Sequence, residues 1–300
     1  MTVEEWMTAY LALRSGDLAP RTLEQYTDLA TRYIVPALGA IPLEDLRPLA
    51  IAQLLAPISA QHPRSAQLVH RLLSTALRCA VAYGLIAASP AAAVAAPRHR
   101  RADPRWLDAD TARALLTRTV SSRWHIAWSL ALCLGLRRGE LAGLRWGDVD
   151  LDKRVLVVSQ QAQTVGGKVA ICPPKSEAGA RSIPLPPSLA AELAMWRRVQ
   201  RAPISPQTYV LSCHPDGSPI TPGALNHALR RDMLRAGLPA INLHGLRHTM
   251  ATMAVAQGIH LRVLQALLGH ASITITADTY SHILPSTLKI AVDTISSTMI

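Results

Sequence analysis

Near its C-terminus the chain carries His244-Gly245-Leu246-Arg247-His248-Thr249, then Leu268-Gly269-His270, then Tyr280. Three imidazoles, a guanidinium and a phenol gather there without the carboxylate, Ser or Cys pairing that most hydrolases use. The set suits a phosphodiester, whose charged oxygens are stabilised by cations while a phenol attacks phosphorus. Upstream, Gly135-Leu136-Arg137-Arg138-Gly139-Glu140-Leu141 supplies a second guanidinium. Arg137 stands where a glycine turn opens a helix, and Glu140 lies one turn further on. The positive end of that helix favours an anion. Arg137 and Arg247 could grip the two non-bridging oxygens of one phosphate through forked hydrogen bonds. Lysine is scarce, occurring at Lys153, Lys168, Lys175 and Lys289. Lys175, in Pro174-Lys175-Ser176-Glu177 between two expected strands, therefore draws interest as a cation at a hairpin tip.

These groups need elements to hold them. His244 and Arg247 share a face of an expected helix over 243–257, and a further helix over 260–268 stops at Gly269, which turns the chain to present His270. Helices are also expected over 108–117, 124–134, 137–146, 188–201 and 222–236. Between them the period changes. Val155-Leu156-Val157-Val158 reads as a strand, Gly166-Gly167 as a turn, and 169–172 and 181–185 as two more strands. The first hundred residues read as helices: Trp6, Tyr10 and Leu13, then Leu23, Tyr26, Leu29, Ala30 and Tyr33 before Pro36, then 46–55 and 66–83. In the last of these, Leu68, Leu72, Ala76 and Cys79 share a face. An Ala-rich stretch with Pro90 and Pro97 runs into Arg98-His99-Arg100-Arg101 and Asp103-Pro104, which marks a linker. The expected organisation is a mainly α protein with a small antiparallel β-sheet. It comprises a helical domain over 1–97, a linker over 98–104, a second domain over 105–285 and a tail over 286–300. In that tail Leu288, Val292, Ile295 and Met299 fall on one helical face.

Composition narrows the partner. Lys and Arg number 31 against 20 acidic residues, a net charge of +11. Residues 1–103 hold ten basic and eight acidic residues, whereas residues 104–300 hold 21 and 12, so the excess sits in the second domain. A basic domain favours a polyanion, most simply nucleic acid. Cys79, Cys133, Cys172 and Cys213 form no CxxC pair, which suits reduced thiols rather than a disulfide frame or a zinc site. The acidic start Met1-Thr2-Val3-Glu4-Glu5 does not resemble a signal peptide. The longest apolar run, around 126–136, is too short to span a bilayer. A cytoplasmic protein without membrane attachment is expected.

The order Gly-Leu-Arg-Arg-Gly-Glu-Leu, a Lys among strands, His-x-Leu-Arg-His-Thr, Leu-Gly-His and Tyr resembles the tyrosine recombinases of the phage-integrase type. Leu144-Arg145-Trp146-Gly147-Asp148-Val149-Asp150 and Arg181-Ser182-Ile183-Pro184-Leu185 also resemble family stretches. The resemblance spans most of the chain. It implies a helical SAM-like core-binding domain followed by an α+β catalytic domain. Tyr280 would be the nucleophile, forming a 3′-phosphotyrosine and releasing a 5′-hydroxyl. Arg137 and Arg247 would hold the scissile phosphate, His244 would take the phenol proton, and Lys175 would protonate the departing oxygen. His270 would hydrogen-bond the phosphate, with Glu140 supporting the array. Neither metal nor ATP is implied, so no cofactor is expected. The resemblance implies double-stranded DNA as partner, a homotetramer on paired sites and accessory DNA-bending or directionality proteins. Arg98, Arg100, Arg101 and Arg138 are candidate DNA contacts. The family tail commonly docks on a neighbouring protomer. The chain opens on core-binding-like helices, so no arm-binding domain is expected ahead of them, and it has no Phe, so Leu, Val and Tyr are expected to fill the places where relatives often have it.

Plainer readings stand beside these. His244 and His248 could bind zinc, but no Glu lies between them and no Cys is near. His248 reads as a packing residue. Tyr10, Tyr26, Tyr33 and Tyr83 read as core, and Lys168 is the rival for Lys175. Three alternatives to an integrase remain: an Xer-like chromosome-dimer resolvase, a type IB topoisomerase, or a DNA-binding protein that has lost catalysis.

Overall fold

The computed structural model describes residues 1–98, 105–200 and 203–274. The chain divides into two compact units, Met1–Ala102 and Asp103–Ile300. Among the described residues no helix is long and apolar enough to cross a membrane.

The first unit is helical: α1 (Val3–Leu13), α2 (Pro20–Leu29), α3 (Val35–Leu38), α4 (Pro48–Gln61) and α5 (Pro63–Ala82). A capping box starts α1, with Thr2 and Glu5 each satisfying the other's backbone N–H. The expected stop before Pro36 does not occur. A wider π turn over Ala30–Ile34 joins α2 to α3, and the Val35 N–H reaches back to the Ala30 carbonyl. The wider turn accommodates a proline that has no N–H of its own to donate. Trp6, Met7, Tyr10, Ile34, Ile51, Leu72, Leu73 and Leu77 fill the core, and the Trp6 indole N–H donates to the Ala76 carbonyl at 3.0 Å. Ala66, Val69, Leu73, Ala76 and Ala80 lie on the buried side of α5, while Leu68 and Cys79 are half-buried at its edge. Tyr83 is 61% exposed, contrary to its reading as core, because α5 ends one residue before it.

The second unit holds α6 (Ala109–Arg118), α7 (His125–Leu134), α8 (Arg138–Gly143), β1 (Val149–Asp150), β2 (Val155–Val158), β3 (Gln161–Val165), β4 (Lys168–Cys172), β5 (Arg181–Pro184), α9 (Pro187–Val199), α10 (Pro222–Arg235), α11 (Leu243–Ala256) and α12 (Leu261–Leu268). The strands form two sheets, β1-β2-β5 and the hairpin β3-β4, all antiparallel. Fully buried Trp128, Leu130, Leu136, Leu141, Leu156 and Leu246 knit α7, α8, α11 and the larger sheet into one core. Strand β3 was not expected from its sequence, Gln-Ala-Gln-Thr-Val. It forms because β4 pairs with it along its length, while Gly139 and Gly143 leave room for its backbone against α8.

Two buried polar anchors fix the helices. The Asp232 carboxylate accepts the Ser122 hydroxyl at 2.6 Å and the Trp128 indole N–H at 2.9 Å. The Thr249 hydroxyl donates to the Gly245 carbonyl at 2.8 Å and accepts the Leu107 N–H at 2.9 Å. Buried polar groups paired in this way specify one register for the packed helices.

Candidate active site

Helix α7 ends at Gly135 in the left-handed conformation, φ 63°, and a Cβ there would lie 2.9 Å from a Leu268 methyl. That turn delivers Arg137 to the N-cap of α8. Its backbone N–H donates to Glu140 Oε2 at 2.9 Å, and its Nη1 donates to Oε1 at 2.7 Å. Helix α11 is capped by Asn242, whose side chain accepts the Gly245 N–H at 2.8 Å. His244 and Arg247 follow in its first turns. Helix α12 closes at Gly269, φ 64°, with the Gly269 N–H on the Ala266 carbonyl and the His270 N–H on the Gln265 carbonyl. This glycine-closed end leaves His270 at the edge of the site.

The carboxyl end of α12 is held by three guanidiniums on three successive carbonyls. Arg181 Nε donates to Leu267 at 2.7 Å, Arg247 Nη2 to Leu268 at 2.7 Å, and Arg137 Nη2 to Gly269 at 2.8 Å. Cations are favoured there by the helix dipole and by carbonyls that lack helical partners. Arg247 also donates to the Gly135 carbonyl at 2.6 Å and is only 2% exposed. A buried guanidinium is tolerated because such bonds replace its water. Arg181 completes the array through Glu140, donating from Nη2 to Oε2 at 2.9 Å and from Nη1 to Oε1 at 3.2 Å. Burial pushes the Glu140 carboxyl up. The hydrogen bonds and charge of Arg181, followed by those of Arg137, more than offset this and hold it below its ordinary range.

Arg137, Lys175, His244 and Arg247 line one cavity of about 550 Å³, together with Arg138, Glu140, Gln161, Asn226 and Asn242. Among the described residues Glu140 is the one carboxylate on that lining, so the cavity is basic. Lys175 is exposed but is not at a hairpin tip. The hairpin turn is Gly166-Gly167, and Lys175 lies where the chain leaves β4 for β5 in the other sheet. Pro173 and Pro174 end the β3–β4 ladder because they cannot donate to it. The Gln161 side-chain N–H holds the Pro173 carbonyl at 2.9 Å, and Lys175 follows two residues later. Lys168, the rival, sits at the hairpin turn and is not among the residues lining the cavity. The imidazoles of His244 and His248 meet edge to face with centroids 4.5 Å apart. His248 is 8% exposed, as expected of a packing residue. Among the described residues no group of three or more His, Cys, Asp or Glu side chains could hold a metal ion. Arg138 is exposed beside the cavity, and Arg98 is exposed at the end of the described part of the first unit. Arg100, Arg101, Tyr280 and the tail lie outside the described residues. Arg181 was not singled out from sequence, although the Arg-Ser-Ile-Pro-Leu stretch that carries it was.

Burial and then the charges of Arg247, Arg137 and Arg181 push His270 from 6.5 down to about 4, so it is neutral at pH 7. The unfolded chain therefore binds the extra proton between these values. The stability that neutral His270 contributes is full above pH 6.5 and is lost as pH falls toward 4. The His270 ring proton followed by NMR in DNA-free protein should titrate well below an ordinary histidine. An ordinary midpoint would contradict this packing.

The sequence profile of the phage integrase family matches residues 105–286, and that of the phage integrase central domain matches residues 3–97. The chain belongs to the phage integrase family of tyrosine recombinases. Relatives include the tyrosine recombinase XerC of Xanthomonas campestris pv. campestris, 33% identical over 278 residues, covering 89% of this chain and 80% of XerC. The integrase of Mycobacterium phage L5 is 28% identical over 276 residues, covering 90% of this chain and 72% of that integrase. The match to a XerC-like tyrosine recombinase of Caldanaerobacter subterraneus, 33% identical, takes in 57% of this chain and about half, 48%, of that protein. In fold the family member is similar to the Tn1549 transposon integrase in complex with a circular intermediate DNA, with TM-score 0.81, 21% identity and coverage of 93% and 95% of the two chains. It is also similar to a lambda integrase tetramer bound to a Holliday junction, with TM-score 0.69, 23% identity and coverage of 93% and 77%. These likenesses agree with the mainly helical, two-unit architecture with small antiparallel sheets.

Proposed function

We propose that this tyrosine recombinase cuts and rejoins duplex DNA at specific sites as the integrase of a phage or other mobile element. The observation that carries the site assignment is the meeting of Arg137, Lys175, His244 and Arg247, from three separate segments, around one basic cavity. The Tyr280 oxygen attacks the scissile phosphorus and gives up its proton toward His244. The bond from phosphorus to the 5′-oxygen breaks, and Lys175 protonates that leaving oxygen to give a 5′-hydroxyl. The product is a 3′-phosphotyrosine, which a 5′-hydroxyl reverses. Arg137 and Arg247 hold the non-bridging oxygens, His270 adds a hydrogen bond, and Glu140 keeps Arg137 in place. A free phenol has a pKa of about 10, so nearby cations are needed to favour its anion at neutral pH. The phosphotyrosine conserves the bond, so rejoining needs no ATP.

The helical unit over 1–97, the basic linker over 98–104 and the catalytic unit over 105–285 would together grip the duplex. Arg98, Arg100, Arg101 and Arg138 would supply phosphate contacts. The tetramer formed by lambda integrase on a Holliday junction supports a homotetramer on paired sites, in which the tail over 286–300 would dock on a neighbour. Accessory bending or directionality proteins and a cytoplasmic setting belong to the same reading.

The test is covalent capture from a pool of nicked duplexes of random sequence, with denaturant-resistant adducts sequenced to define the site. Pairing two copies of the captured site should then yield recombinants. Absence of any adduct would defeat the reading, and relaxation of supercoils without recombinants would turn it toward a topoisomerase. Cleavage and rejoining should proceed in EDTA without ATP, because the protein's own cations neutralise the phosphoryl oxygens. A strict Mg²⁺ requirement in the cleavage assay would contradict that mechanism.

A further inference from the structure

Arg137 would reach the scissile phosphate as a cation, yet it is bound to Glu140, which is 4% exposed, through both its backbone and its side chain. Taken alone, that pair carries no net charge. Arg181 shares the same carboxylate through both oxygens, at 2.9 and 3.2 Å. The three groups together carry one net positive charge. The Arg181 side chain is only 7% exposed and is not part of the cavity lining, whereas the Arg137 side chain is 36% exposed and is part of it. Substrate therefore meets Arg137 and not Arg181. Arg181 also donates to the carbonyls of Leu267 and of Gly179, so one guanidinium joins Glu140, the end of α12 and the connection that carries Lys175. Gly269 makes room for this, since a Cβ there would lie 2.9 Å from Arg181 Nη1 and 2.7 Å from the Ala178 carbonyl.

We propose that Arg181 is a positioning residue for the cleavage step. By neutralising Glu140 it leaves the Arg137 charge available to the scissile phosphate, and by tying three segments together it fixes the register of Arg137, His270 and Lys175. The proposal rests on Arg137 as a phosphate-holding residue. It assigns Arg181 a task distinct from packing, because an apolar side chain could fill the same space but would leave the buried Glu140 carboxylate to Arg137 alone.

The experiment compares the parent with Arg181→Met, Arg181→Lys and the double variant Arg181→Met with Glu140→Gln, using the captured nicked duplex and following thermal melting in parallel. Arg181→Met should bind that duplex within about threefold of the parent but cleave it about 10²-fold more slowly. The double variant, freed of the unbalanced carboxylate, should regain about tenfold of that rate. Arg181→Lys keeps the charge and should cleave faster than Arg181→Met. If Arg181→Met does not fold, folded Arg181→Lys carries the test. A Lys variant cleaving as slowly as Arg137→Ala would then refute the charge-balancing role. Parent-like cleavage by Arg181→Met, or no gain in the folded double variant, would also overturn the proposal. Tyr280→Phe separates the two levels: if it still forms an adduct, the assignment of the nucleophile fails whatever Arg181 does.

Discussion

Tyr280→Phe should bind the captured duplex like the parent and form no covalent adduct at all. The change deletes one oxygen, the atom that would become the bridge to phosphorus, and keeps the ring. In the proposed mechanism no other side chain supplies a nucleophile, since His244, Arg247 and Lys175 would act on the phosphate as acids, bases or charges. The effect should thus be complete in the adduct gel and slight in an equilibrium binding assay. A denaturant-resistant species from the Phe variant would show that another side chain is the nucleophile. Of the six tyrosines, only Tyr280 follows the Gly-His turn, while Tyr10 is buried and Tyr26 and Tyr33 pack against the core of the first unit.

Arg247→Lys carries the second large effect, and it divides between folding and chemistry. The parent guanidinium bonds two carbonyls from different helices, Gly135 at 2.6 Å and Leu268 at 2.7 Å. A lysine keeps the charge but cannot span both in the same plane. A buried bond from a charged donor contributes about 1.5–3 kcal/mol, and losing one should lower the melting temperature measurably. Cleavage should fall further than stability alone explains, by about 10²–10³-fold, because the forked donor to the phosphate is lost. Measured on folded protein below its melting range, a parent-like cleavage rate would rule out Arg247 as a phosphate clamp. The expected split is a modest change in duplex affinity and a large change in the single-turnover rate.

The array also explains why each arginine is hard to replace. Arg137, Arg181 and Arg247 do not simply point at a ligand. They terminate α12, and α12 in turn places His270 beside them. Substituting one changes the support of the others, so paired substitutions among these three should be strongly non-additive.

What the sequence alone determined was local. The order Gly-Leu-Arg-Arg-Gly-Glu-Leu, His-Gly-Leu-Arg-His and Leu-Gly-His states which side chains are available, and helical spacing puts His244 and Arg247 on one face. Glycine marks where α7 and α12 end, because the left-handed conformation costs other residues more. Such signals act over a few residues and can be read one segment at a time. The tertiary structure decided three other matters. Strand β3 exists despite its polar sequence because β4 and α8 give it partners, and no local propensity encodes those. Lys175 rather than Lys168 reaches the cavity because two prolines end the hairpin and Gln161 holds the segment that follows. Arg181 joins Glu140 from 41 residues away, and its other partners are backbone carbonyls of Leu267 and Gly179. A carbonyl acceptor is the same in every residue, so no letter of the sequence reports that it will be needed. Only the folded chain, by bringing the open end of α12 against three guanidiniums, shows where those bonds are made.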